Sequence, residues 1–150
     1  MRQIKFRAKD YEIGEWLYGS LIQRKGFYPS ILFPNPTGDG KIRYVECCVD
    51  VETIGQFTEL EDKNGKEIYE GDIVDWTFFY NRIGPNGGVT ETDITLRGVI
   101  VWGTAGFVFE VWRNDFENAG WYGIADLNFD PSSDIEVIGN IYDNPELVER

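Results

Sequence analysis

Residues 53–76 read TIGQFTELEDKNGKEIYEGDIVDW. Asn64-Gly65 is the strongest short hairpin signal in the chain. It predicts a two-residue type I′ turn, because Asn tolerates and Gly freely adopts the positive φ that both central positions need. Lys63 and Lys66 flank the tip and keep it polar. Before it, Ile54, Gln56 and Thr58 alternate with Gly55 and Phe57. After it comes a short strand, Glu67-Ile68-Tyr69. Glu70-Gly71-Asp72 breaks that run, and Ile73 to Phe79 follows. β-Branched and aromatic residues bounded by Gly and Asp predict a strand there. A Gly-Asp turn leading into Ile-Val is also the pattern at the mouth of small SH3-like barrels. Glu67, Glu70 and Asp72 would supply a metal or general-acid cluster if they converged. Turn chemistry at a solvated edge accounts for them more simply.

Working outward, the chain keeps predicting strands. Ile4, Phe6 and Ala8 alternate with Lys5, Arg7 and Lys9, the pattern of a half-buried strand. Asp10 to Gly14 is a turn. Trp16 to Gln23 is apolar on both faces, as a central strand is. Phe27 to Phe33 is a third strand, which Pro29 assigns to an edge or a bulge. Pro34 to Gly40 is a loop by composition, and Ile42 to Val51 a further strand. Beyond Phe79, Asn81 to Gly88 has the composition of a mobile insertion with a flexible tip. Ile94 to Trp102 and Gly106 to Trp112 are apolar on both faces and mark the centre of a second unit. Asn114 to Gly120 allows a short helical turn. Ile135 to Ile141 is the last strand, and Asn144-Pro145 opens a brief terminal helix.

Composition excludes several classes of function. The chain has 150 residues, no His, 14 Lys and Arg against 26 Asp and Glu, and a net charge of −12. Without imidazole there is no Ser-His-Asp or Cys-His mechanism and no His-containing zinc site. Residues 46–75 and 103–150 each carry two basic against ten acidic residues, while residues 1–28 carry six against three. Such a balance disfavours phosphate-backbone binding, which depends on Lys and Arg. A basic surface of a partner fits it better, and the basic first strand suits an acidic face of its own or a neighbouring chain. No apolar run approaches transmembrane length and no apolar segment follows the basic N-terminus, so a cytoplasmic protein is expected. Cys47 and Cys48 are adjacent on a predicted strand, point to opposite faces and are expected to stay free.

Two further constellations need weighing. Asp126, Asn128, Asp130 and Asp134 begin like a calcium loop, but Pro131 replaces its turn glycine and Val137 its bidentate Glu. A polar loop capped by Asx turns is the expectation. Trp16, Trp76, Trp102, Trp112 and Trp121 would suit a stacking platform for bases or sugars, but aromatics on strands usually form core or interface.

The central stretch resembles the signature of the YopX family of phage and prophage proteins. Arg2 to Ala8 is similar to the family's opening, and Val137 to Leu147 to its closing. Lys9 departs from the family pattern, where an aromatic is usual, and Glu59 departs where Gly is usual. The resemblance implies an all-β, phage-borne, intracellular protein and carries over no catalytic residues.

The expectation is therefore an all-β protein of two small subdomains. The first is an N-terminal antiparallel sheet over residues 1–52. The second is an SH3-like barrel or rolled sheet over residues 53–150. No catalytic, cofactor-binding or metal-binding residue is assigned. The expected role is that of a non-catalytic accessory protein working through protein–protein contacts, with homo-oligomerisation as a way to cover its β edges. The alternatives are an acidic nucleic-acid mimic that inhibits a host DNA-binding protein, and a nucleic-acid-binding β-barrel using Arg2, Lys5, Arg7, Arg24 and Lys25.

Overall fold

The structure, a computed structural model, describes residues 1–111, 120–123 and 134–148, apart from the side chains of Tyr80 and Trp121. The chain forms two compact units, Met1–Glu59 and Leu60–Arg150. The change-over falls inside a strand. Among the described residues the only helical segments are 3-10 turns, at Val51–Thr53 and Pro145–Val148.

The first unit is built from β1 (Phe6–Lys9), β2 (Trp16–Ile22), β3 (Ser30–Pro36), β4 (Ile42–Cys48) and β5 (Gly55–Glu61). The sheet order is β4-β3-β2-β1-β5-β6, with β6 spanning Glu67–Tyr69. Ala8, Ile31 and Val49 form the buried centre, with Phe6, Leu17, Leu21, Phe33 and Ile54 packed around it. A single bridge, Asp10 to Val49, ties the end of β4 to the end of β1.

Two expectations about this unit are corrected. β3 begins after Pro29 and runs through Pro34 and Pro36 with β4 beside it, so it is neither an edge strand nor cut short at Phe33. Its pairing with β2 ends at Leu32. The odd-numbered residues beyond that point face β4, as Thr37 does in donating its N–H to Lys41 O at 2.8 Å. The missing N–H groups of Pro34 and Pro36 therefore fall on the side where no ladder remains. The second correction concerns Arg7, which was placed on the exposed face of β1 but is only 4% exposed. Its guanidinium lies 4.7 Å from the Trp16 ring centre, with Lys9 Nζ at 5.5 Å from the same ring. Lys5 Nζ sits 4.9 Å from the Phe57 ring centre. Cation–π contact offsets part of the cost of desolvating a guanidinium.

Lys9 donates its backbone N–H to Thr53 Oγ1 at 2.8 Å, a bond any residue but proline would make there. Glu59 stands at φ +70°, the only non-glycine with positive φ among the described residues. Its carboxylate accepts the Gln3 N–H at 2.8 Å and meets Arg2 Nε at 3.1 Å. A left-handed residue with a Cβ is strained by roughly 1–2 kcal/mol. Glu59→Gly is therefore expected to be more stable than Glu59→Ala by about 1 kcal/mol in urea denaturation, since both lose the carboxylate and only glycine loses the strain. Equal stability of the two variants would contradict the strain.

The second unit contains β6, β7 (Asp72–Ile83), β8 (Val89–Trp102), β9 (Phe107–Val111), β10 (Trp121–Gly123) and β11 (Asp134–Asn140). The last five form an antiparallel sheet ordered β10-β9-β8-β7-β11. Among the described residues this sheet is open, with β10 and β11 at its edges, and does not close into a barrel. Ile68, Val74, Trp76, Leu96, Ile100, Phe107, Phe109 and Ile135 are among its buried core residues. Trp76 is thus core, with Phe109 and Tyr122 edge-on to it at 6.1 and 5.7 Å. Trp102 is 56% exposed.

The 62–66 hairpin is not the two-residue I′ turn expected of Asn64-Gly65. Asp62 N–H donates to Lys66 O and Gly65 N–H to Asp62 O, and only Gly65, at φ +78°, is left-handed. This is a three-residue loop, a type I turn followed by a left-handed glycine. Asp62 reinforces it, its Oδ1 accepting the N–H groups of Asn64 at 2.8 Å and Lys66 at 2.9 Å. The same pair of backbone bonds recurs at residues 37–41 and 84–88, each with glycine in the left-handed position.

Candidate functional site

Three local arrangements bear on function. The first is the set of acidic residues around Gly71. Asp72 is 1% exposed and its Oδ2 accepts the Tyr69 N–H at 2.8 Å. The Tyr69 hydroxyl donates to Glu67 Oε2 at 2.7 Å. Tyr69 therefore draws two of the three carboxylates into the turn. Gly71 sits at φ +87°, its N–H on Ile100 O, and its carbonyl accepts the Ile141 N–H at 3.0 Å. A Cβ on Gly71 would lie 2.9 Å from Tyr142 Cε2. The central motif and the closing motif thus meet in space. Asp62 adds a third tie, accepting the Val137 N–H on Oδ2 at 3.0 Å across 75 residues of chain. Lys63 Nζ meets Glu136 Oε2 at 3.1 Å beside it. Burial alone would raise the Asp62 pKa. The N–H groups of Val137, Lys66 and Asn64 outweigh it, and the group lies below the ordinary aspartate value.

The second arrangement is a two-stranded ribbon. Among the described residues β11 accompanies β7 as far as Thr77, and β9 accompanies β8 from Gly98 onward. Yet β7 and β8 stay paired without a break from Ile73–Val99 to Ile83–Val89. The expected mobile insertion is therefore an ordered ribbon closed by the 84–88 turn. Cross-strand alternation puts Phe79, Ile83 and Val89 on one of its faces, and all three are exposed, Ile83 to 74%.

The third is a cavity of about 380 Å³ in the first unit, lined by Asp10, Tyr11, Glu12, Tyr28, Cys47 and Cys48. It opens where the Asp10–Val49 bridge joins β1 to β4. The turn that carries Tyr11 is tightly held. Asp10 Oδ1 accepts the N–H groups of Glu12 at 2.8 Å and Ile13 at 3.0 Å, and Tyr11 N–H reaches Cys48 O at 3.0 Å. The Tyr11 and Tyr28 rings face each other with centres 5.9 Å apart. Both are exposed, to 65% and 72%. Phe27 and Tyr28 stay out of β3 because Pro29 delays its start, a signal the sequence carried without showing what the ring would face. Cys47 and Cys48 are free thiols. Burial, and then the charges of Asp10, Cys48 and Glu12, push the Cys47 thiol up.

The remaining sequence candidates are not gathered into one place. Of the cations a nucleic-acid reading needs, Arg2 meets Glu59, Arg24 pairs with Glu46, Arg7 is buried and Lys5 covers Phe57. Glu46 also accepts the Ser30 hydroxyl, and Arg24 and Ser30 together lower its pKa to about 2. Asp126, Asn128, Asp130, Trp112 and the 114–120 segment lie largely or wholly outside the described residues. Among the described residues no three Asp, Glu or Cys side chains converge as metal ligands, and no helix is long and apolar enough to cross a membrane. The entire net charge falls on residues 60–150, which hold six Lys and Arg against eighteen Asp and Glu. Residues 1–59 hold eight of each.

Comparison with known proteins agrees with this geometry. A family model described as YopX protein matches residues 5–149. The crystal structure of protein EF1440 from Enterococcus faecalis is similar in fold, with a TM-score of 0.52 and 22% identity over 99% of this chain and 100% of that one. No curated protein matches the sequence.

Proposed function

The chain belongs to the YopX family, and on that footing we propose that it is a non-catalytic accessory protein, phage- or prophage-encoded, that acts through protein–protein contacts in the host cytoplasm. The observation that supports this reading best is the β7–β8 ribbon. Two strands alone are marginal in water. This pair nevertheless runs past its described neighbours, with Phe79, Ile83 and Val89 exposed on a face they share with Asn81, Glu91 and Asp93. A ribbon of that kind gains stability when those three apolar side chains are covered, and a second copy of the chain is the first partner proposed for it.

The test is light scattering of the full chain at micromolar concentration, for the natural sequence and for Ile83→Lys with Val89→Lys. Assembly that the double variant abolishes supports the reading. A monomer in both cases, or assembly indifferent to the substitutions, sinks the ribbon as its contact face.

A second reading is favoured by the charge distribution: residues 60–150, carrying the whole of the −12 balance, would imitate nucleic acid toward a host DNA-binding protein. Capture of such a protein, released by competing duplex DNA, would support it. Capture indifferent to DNA would exclude it.

A further inference from the structure

We propose that the Tyr11–Tyr28 cavity is a receptor for the guanidinium of an arginine on a partner protein. This rests on the reading above that the molecule works through protein contacts, but it uses a different surface from the ribbon. The cavity volume, about 380 Å³, is within the roughly 300–1,000 Å³ of small-group binding sites. Its walls combine two features that select a cation. The Tyr11 and Tyr28 rings pack against each other, centres 5.9 Å apart and planes 34° from parallel, and both stay exposed, so a flat group can lie on their outer surface but not between them. Two carboxylates, Asp10 and Glu12, line the same cavity, and no Lys or Arg does so among the described residues. The first unit as a whole is balanced at eight charges of each sign, so this is a local negative site and not a general acidic surface.

Charge and shape together favour guanidinium over ammonium. Guanidinium is planar, stacks on aromatic rings and presents a fork of donors to carboxylates, whereas ammonium is compact and strongly hydrated. The receptor is also already formed. Asp10 spends one oxygen on the Glu12 and Ile13 N–H groups, and the Tyr11 N–H is held by Cys48 O. Little ordering remains to be supplied on binding, at least for the Tyr11 wall.

The experiment is an amide NMR titration of the full chain with a blocked Gly-Ser-Arg-Ser-Gly peptide. Its lysine and norleucine counterparts serve as comparisons. Saturable shifts are expected at residues 10–13, 28, 47 and 48, with the arginine peptide binding more tightly than the other two. Glu12→Gln and Tyr28→Ala should each weaken it by about fivefold. Both side chains are exposed or at a turn, so unchanged shifts elsewhere will confirm that the fold is kept. Salt at about 0.5 M should weaken binding further. Equal binding of the norleucine or lysine peptide, or no loss in Tyr28→Ala, overturns the assignment. If the cavity fails while the ribbon variants still abolish assembly, the functional reading survives without it. If the ribbon fails and the cavity binds, the contact face is the cavity.

Discussion

Asp62→Ala is expected to destabilise the protein by about 3–4 kcal/mol, read as a drop in urea midpoint at pH 7 with the slope unchanged. The side chain is 7% exposed and its two oxygens accept three backbone N–H groups, from Asn64, Lys66 and Val137. Alanine leaves all three donors without that acceptor, in a place where water is largely excluded. It also removes a brace of the 62–66 turn and one of the ties between β11 and the hairpin, leaving the Lys63 N–H on Ile135 O and the Lys63–Glu136 pair. Asp62→Asn should cost less, because an amide oxygen can still serve one side while its NH2 faces donors on the other. The pH dependence has a definite sign. The folded-state pKa lies below the unfolded value, so Asp62 stabilises fully above the unfolded aspartate range, near 4. That contribution fades as pH falls through the lowered folded pKa. The natural protein should therefore lose more stability between about pH 5 and pH 2 than Asp62→Ala does, and parallel acid profiles would refute the role given to the carboxylate.

Gly71→Ala should cost about 2–3 kcal/mol. Part is backbone strain, because φ is +87°. Part is contact, because the added methyl would stand 2.9 Å from Tyr142 Cε2. The ring is the far end of a side chain and can swing, but it then gives up its packing against the turn. A double-mutant cycle separates the two contributions. Tyr142→Ala in the Gly71→Ala background should cost about 1 kcal/mol less than in the natural background, since there it also relieves the clash. Strictly additive losses would assign the whole effect to the backbone.

Both positions lie in the stretch from which the fold was first read, and they mark where that reading stopped. Asn64-Gly65 announced a hairpin correctly because a left-handed glycine beside a polar tip is a local property. The turn type was misjudged because two-residue and three-residue loops can each end on a left-handed glycine, and the pairing of the flanking strands chooses between them. A local motif also placed Gly71 in a turn, but not the Tyr142 ring against it. In the candidate site, Tyr11 was legible as part of a turn and Cys47 and Cys48 as free strand residues. Tyr28 was read as a strand residue, and nothing in the spacing of 11, 28 and 47 indicates a shared cavity.

Strand periodicity, glycine-bearing corners and the lack of imidazole are all properties of neighbouring residues or of simple composition. They were enough to predict an all-β chain, while the family was legible only from the resemblance of the opening, central and closing motifs. Which strands become edges, how far β7 and β8 outrun their neighbours, whether Arg7 faces water or Trp16, and whether the second sheet closes are different matters. Each depends on groups brought together across intervening loops, from 9 residues apart for Arg7 and Trp16 to 75 for Asp62 and Val137. Side chains so placed leave no period in the sequence, because their contact energy is paid for only after the loops between them have closed.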